Sequence, residues 1–171
     1  MHAGLSRWER GQRGRGLTEM RHRIRSGVII TRDDSILLVQ SDSDLGLKWW
    51  TPGGRVDGDE TWSECAIRET FEETGLEIEI GRLAYIYEMV TPENGTHHFH
   101  VLYQGLNPRG DVRMASPGDP GYDGRQSEVR FVSRTETSNS QTWPASVRTK
   151  DFWSNHDAGF PTPLHLGMVA Q

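Results

Sequence analysis

The chain has 171 residues, of which 34% are hydrophobic and 25% charged, with a net charge of −5; this suits one domain with a sizeable core and leaves little room for two. No apolar run is long enough to span a bilayer, and the opening MHAGLSRWERGQRGRG lacks the apolar centre of a secretory signal. The single cysteine, Cys65, excludes an intrachain disulfide and a cysteine-built zinc site, so a reducing, cytoplasmic setting is expected.

Residues 1–25 hold seven arginines against Glu9 and Glu19, so positive charge is concentrated there and the remainder is acidic. The segment is short and offers few aromatics for stacking on bases, so residues 1–22 read as a disordered basic leader rather than a nucleic-acid tail. An ordered domain is expected over 23–156, followed by a tail of undetermined structure over 157–171. SGVIIT (26–31) and SILLVQ (35–40) are apolar, β-branched runs flanking Arg32-Asp33-Asp34 and predict a hairpin. A polar loop over 41–48 leads to WWTPGGR (49–55), where Pro52-Gly53-Gly54 requires a turn approached closely by something else.

Residues 61–74 contain neither proline nor glycine and predict a helix, with Asp59 or Thr61 as cap and Gly75 as left-handed terminator. Ile67 and Phe71 pair at i, i+4 as an apolar contact, Ala66 and Thr70 offer close packing, and Glu64, Arg68 and Glu72 make an ion-pair row. Strands are expected at 76–90, with Leu83, Tyr85, Tyr87 and Met89 on one side, and at 98–106, joined through an Asn94-Gly95 turn. A Gly/Pro/Ser-rich loop over 107–126 precedes a strand at 127–133, and proline opens a last helix at 144–153. Strands and helices mix without strict alternation, which predicts a mixed sheet with helices against it.

The helix poses an electrostatic problem. Glu69, Glu72 and Glu73 lie at i, i+3 and i+4, so like charges share one face beside the negative end of the helix dipole. A divalent cation reverses both penalties, because carboxylate oxygens are its preferred ligands.

From Gly54 to Leu76 the sequence reads GRVDGDETWSECAIRETFEETGL, and this resembles the signature of the Nudix hydrolases. The match is Gly-x5-Glu-x7-Arg-Glu-apolar-x-Glu-Glu-x-Gly-apolar, with Thr70 at a position where an aliphatic residue is usual. Trp49 with Pro52-Gly53-Gly54 is similar to the family's lead-in, although Thr51 replaces a common apolar residue. The resemblance implies an α/β fold, an α/β/α sandwich around a mixed sheet, and Mg2+-dependent hydrolysis of a nucleoside diphosphate linked to another group, with Mn2+ as a substitute metal. It implies Glu69 and Glu73 as metal ligands, Glu72 as a further ligand or one acting through metal-bound water, and a carbonyl of Gly53 or Gly54 completing the shell. Glu60 and Arg68 then orient the ligands, and either Glu72, Glu73 or Glu128 takes the proton of the attacking water.

Pro92, sixteen residues after Leu76, resembles a mark of ADP-ribose pyrophosphatases, and equally it opens a turn. ADP-ribose or a nucleotide sugar is the first substrate expectation; a nucleoside triphosphate, a damaged nucleotide or a non-catalytic regulatory role are the alternatives. Arg23, Arg25, Arg32, Lys48 and Arg55 are candidates for substrate phosphates, and Trp49, Trp50 or Tyr87 for stacking on a base. His97, His98 and His100 read as surface or pocket-rim residues, with His98 and His100 on one strand face. SQTWPAS (140–146) reads as helix-opening sequence and Cys65 as a packed thiol. A small nucleotide partner is expected, with no membrane and no nucleic acid, and a homodimer by family habit.

Overall fold

The apolar run after Arg23 serves two sheets in succession. In the computed structural model, which describes residues 20–43, 46–91 and 95–168, β1 (Arg21–Ile29) pairs in parallel with β7 (Thr96–Arg109) and antiparallel with β5 (Gly53–Arg55). The chain then leaves that sheet: β2 (Thr31–Arg32) pairs only with Ser35 and Ile36 of β3 (Ser35–Ser43). The hairpin expected over 26–40 is therefore shallow, because Val28 and Ile29 are already paired to Tyr103 and Gln104 of β7.

The first sheet runs β10–β6–β7–β1–β5, with β6 (Glu77–Thr91) antiparallel to β7 and β10 (Leu164–Met168) parallel to β6. In the second sheet β3 carries β8 (Gln126–Ser133) on one edge and β2, then β4 (Gly46–Trp50), on the other; β9 (Thr142–Trp143) adds to β4 in parallel. The result is the mixed α+β class that the sequence predicts. The region expected as one helix over 144–153 is a 3-10 helix, Ala145–Arg148, followed by α3 (Lys150–Asp157), after a short α2 (Arg134–Thr137). The tail also enters the fold, since Phe160 is fully buried against Tyr85 and Phe152 and β10 extends the first sheet.

α1 (Trp62–Thr74) forms where its signals place it. Of the two candidate caps Thr61 is used: its hydroxyl accepts the Glu64 N–H at 3.2 Å while the Glu64 carboxylate accepts the Thr61 N–H at 2.7 Å. Gly75 ends the helix at φ 72°. The buried face differs from the expected one, because Ile67 and Phe71 are 40% and 44% exposed and the helix buries Cys65, Ala66, Thr70 and Thr74. Small side chains let the helix approach the sheet closely, and the Thr70 and Thr74 hydroxyls donate to the carbonyls of Ala66 and Thr70 at 2.6 and 2.7 Å. This leaves no buried hydroxyl unpaired on that face.

Alternation along β1 divides the core. Val28 and Ile30 join Leu37, Ala66 and Leu76 on the helix side, while Ile29 joins Trp49, Tyr85, Phe152 and Phe160 on the side of the second sheet and α3. Ser26 Oγ donates to the Trp62 carbonyl at 2.6 Å and fixes the start of α1 over β1. No described helix is long and apolar enough to cross a membrane.

Candidate metal centre and substrate cleft

The end of α1 lies against the turn that enters β5. The Glu69 carboxylate occupies the space a side chain at residue 54 would need, since a Cβ there would stand 1.9 Å from Glu69 Cδ. Gly53 donates its N–H to Glu73 Oε2 at 2.9 Å. Burial pushes the Glu73 carboxyl up to about 7, against the opposing pull of the Gly53 N–H and Arg25. Glu69 is also raised by burial, with Arg68 working against the shift. Two carboxyls with raised proton affinity, side by side, make a site whose charged state calls for a cation.

Arg68 supplies one positive charge. Its guanidinium donates to Glu60 Oε1 and Oε2 at 2.7 and 3.0 Å, to Glu69 Oε1 at 2.9 Å and to Glu72 Oε2 at 3.1 Å. The bidentate pair holds Glu60 down at about 2, and Glu60 in turn accepts the Asp57 N–H at 2.8 Å, which ties helix to loop. The loop after β7 closes over the third acid: Gly121 has φ 74°, and a Cβ there would lie 2.6 Å from Glu72 Oε2. Cys65, against the Gly54 and Arg55 carbonyls of β5, has its thiol pushed up to about 12 by burial and stays protonated.

Beside the acids a cleft of about 240 Å³ opens, lined by Arg25, Trp50, Tyr87, His100 and Leu102 with the Thr51-Pro52-Gly53 turn. Arg25 Nη2 donates to the Gly53 carbonyl at 2.6 Å, so this one guanidinium joins the cleft wall to the turn that holds Glu73.

A NUDIX domain profile matches residues 20–151. The chain belongs to the NUDIX family. It is 35% identical over 97 residues to a putative 8-oxo-dGTP diphosphatase of Bacillus subtilis (strain 168), covering 53% of this chain and 64% of that protein. It is 34% identical over 71 residues to human diphosphoinositol polyphosphate phosphohydrolase 3-beta, covering 42% and 43% respectively. A MutT NUDIX hydrolase from Burkholderia pseudomallei superposes with a TM-score of 0.60 at 26% identity, over 68% of this chain and 86% of that one. The chain spans about half the length of the curated relatives it matches.

The NUDIX helix and the loop before it place Glu60, Glu69 and Glu72 around the Arg68 guanidinium, with Glu73 on the Gly53 N–H. Their donor set is all oxygen and fits Mg2+ or Mn2+. Among the described residues no three acid or imidazole groups are already drawn into a closed ligand set, because Arg68 stands between Glu69 and Glu72. Of the two glycine carbonyls, that of Gly53 accepts from Arg25 at 2.6 Å, whereas that of Gly54 sits in the Ser26–Gly54 pair of the β1–β5 ladder and also lies 3.6 Å from the Cys65 thiol.

The expected substrate residues separate. Arg25 lies in the cleft, and Arg55 is exposed and paired with Asp57 at 2.7 Å. Trp49 is in the core, 7% exposed with Arg130 over its ring, and its neighbour Trp50 lines the cleft instead. Arg32 lies over Phe131 and Lys48 reaches Gln141. Pro92 lies outside the described residues. Glu128 is held by Arg130 at 2.7 Å, and the β8 side chain that works against the rise in proton affinity at Glu73 is Gln126, two residues earlier. A glutamine at the end of a glycine-rich loop gives no sequence signal; only the register of β8 on β3 places it there.

Proposed function

We propose that the chain hydrolyses the diphosphate linkage of a nucleoside diphosphate joined to another group, with a divalent metal held by Glu69, Glu72 and Glu73 and the Gly54 carbonyl. The observation that carries this reading is the pair of buried carboxyls, Glu69 against Gly54 and Glu73 on the Gly53 N–H, both raised in proton affinity. Buried like charges of this kind persist where a cation is part of the working state. When bound, the metal supplies Lewis-acid neutralisation of the phosphate oxygens and a more acidic water.

The chain's own residues do the rest. Arg68 fixes the rotamers of Glu60, Glu69 and Glu72 and keeps the acids from collapsing apart. Glu73 is anchored to backbone, which aims one oxygen at Gly53 and leaves the other for the metal. Arg25 stands between the acid cluster and the cleft, where it screens phosphate charge. A carboxylate near the metal, Glu72 or Glu73, accepts the proton of the attacking water.

ADP-ribose or a nucleotide sugar is the first substrate reading. A nucleoside triphosphate is the second, supported by the likeness to a protein named as an 8-oxo-dGTP diphosphatase. A panel of nucleoside diphosphate derivatives and triphosphates with Mg2+ tests both. Release of nucleoside monophosphate together with a sugar phosphate supports the first, and release with pyrophosphate the second. No turnover across the panel, with nucleotide binding retained, replaces catalysis with a binding role.

A further inference from the structure

His100 and Tyr87, beside Arg25 on one wall of the cleft, have no part in the chemistry described above. Arg25, His100 and Tyr87 stand side by side on three neighbouring strands, since His100 pairs with Arg25 across β1 and β7 and with Tyr87 across β7 and β6. The imidazole lies on the phenol ring with centroids 4.4 Å apart and planes inclined by 17°. His100 is only 4% exposed, yet its Nε2 finds no hydrogen-bond partner among the described residues. An unpaired polar atom in the buried wall of an open cleft is costly unless a ligand supplies the missing bond. Burial and the nearby Arg25 hold the ring neutral, so Nε2 can offer a hydrogen bond without a charge.

The remaining lining decides the kind of ligand. Trp50, Tyr87 and Leu102 present aromatic and aliphatic surface, and Arg25 is the one cationic side chain among the described lining residues. A ring bearing many phosphates would need several cations, so the cleft does not suit the substrate that the name of the human relative describes. The aromatic rings of Trp50 and Tyr87 offer flat faces on which a ring system can lie.

We propose that His100 is a specificity-determining residue of this site, its Nε2 hydrogen-bonding the polar edge of a nucleobase that enters beside Trp50. This rests on the pyrophosphohydrolase reading and adds to it the group by which the substrate is read. A site built to hydrogen-bond one edge discriminates strongly against rings that lack it.

The test uses the full chain, the four common nucleoside triphosphates as probes and inorganic tripolyphosphate as the base-free control. In unaltered protein labelled with 15N-histidine and supplied with Ca2+, the best-bound nucleotide shifts the His100 ring resonances and tripolyphosphate leaves them in place. With Mg2+, His100→Leu raises KM for that nucleotide at least tenfold more than for tripolyphosphate while kcat changes little. His100→Gln, which keeps a hydrogen-bonding group, recovers part of the difference. Equal losses on nucleotide and tripolyphosphate, or His100 resonances that no nucleotide moves, overturn the proposal. If none of the four triphosphates is hydrolysed, the triphosphate reading falls, and the resonance shifts with calorimetric Kd values still decide whether His100 reads a base. The same resonances decide the matter if His100→Leu does not fold.

Discussion

Gly53 holds Glu73 by a 2.9 Å hydrogen bond from its backbone N–H, and the carboxyl it holds has its pKa raised from 4.5 to about 7 by burial. A carboxyl raised on folding favours the folded state most when protonated. Its contribution is fully present below pH 4.5 and is lost as pH rises through about 7. The metal-free protein should therefore lose thermal stability between those values, and Mg2+ should restore it most at the alkaline end. Glu73→Gln, which keeps an oxygen for the Gly53 N–H and removes the charge, should flatten the pH dependence of Tm in EDTA. It should also abolish the rise in Tm caused by Mg2+ and lower turnover by more than about 100-fold, the upper range for losing a residue that merely supports a ligand. Differential scanning fluorimetry over pH, with and without metal, checks the first two outcomes and product release the third.

Arg68 contacts Glu60, Glu69 and Glu72 through one guanidinium whose side chain is one-third exposed, at 33%. Removing it leaves three acids without their shared partner. Arg68→Ala should lower stability by about 1–3 kcal/mol, less than for a fully buried pair because solvent screens part of the charge. Arg68→Lys keeps the charge and loses the fork, so stability should fall less while metal affinity drops about 10- to 100-fold. Denaturant unfolding and metal titration by calorimetry separate the two effects. Equal metal affinity in Arg68→Lys would show that charge alone positions the acids.

The Gly54 contact gives a sharper steric test. An added Cβ would overlap Glu69 Cδ at 1.9 Å, so Gly54→Ala must expel the carboxylate from its seat. The expected result is a folded protein with metal affinity reduced by at least about tenfold. Gly58→Ala, where nothing lies within 4 Å of the added Cβ but φ is 59°, should lose a little stability and keep its metal affinity.

The caps and the i, i+3, i+4 acids of α1 could be read from sequence because each depends on residues within a few positions of one another: Thr61 with Glu64, Phe71 with Gly75, Glu69 with Glu72 and Glu73. What could not be read depends on pairing between distant segments. Alternation alone cannot say which of Trp49 and Trp50 faces the core; that follows from the registers Val39–Trp50 and Gln40–Trp49 on β3 and Trp50–Trp143 on β9. Ile67 and Phe71 look like a core pair by spacing, but the sheet accepts the small face of Cys65, Ala66, Thr70 and Thr74. The parallel addition of β10 to β6 joins residues some eighty positions apart, Leu164 to Tyr85, and leaves no local mark.

The two tryptophans should accordingly respond differently. Trp49 is in the core, so Trp49→Ala should destabilise by about 3–5 kcal/mol. Trp50, stacked on Trp143 at 6.2 Å and lining the cleft, is placed to meet a base. Trp50→Ala should raise KM about 5- to 100-fold, the equivalent of roughly 1–3 kcal/mol of base stacking, with a smaller change in Tm. Reversed effects would move the base to the other tryptophan.

Gln126 and Glu128 compete for the role of the β8 residue that assists the acids. Glu128 shares Arg130 with Glu136 in an exposed ion-pair network, where charge is screened and a carboxylate is held away from other work. Gln126 works against the rise in proton affinity at Glu73, and its Oε1 is buried without a partner among the described residues. A carboxamide cannot serve as a base at neutral pH, but it can orient Glu73 or a water beside it. Gln126→Ala should therefore lower kcat about 10- to 100-fold with a modest change in KM, whereas Glu128→Gln should cost far less. If Glu128→Gln proves the more damaging, the exposed ion pair must open in the working enzyme and deliver its carboxylate to the metal centre.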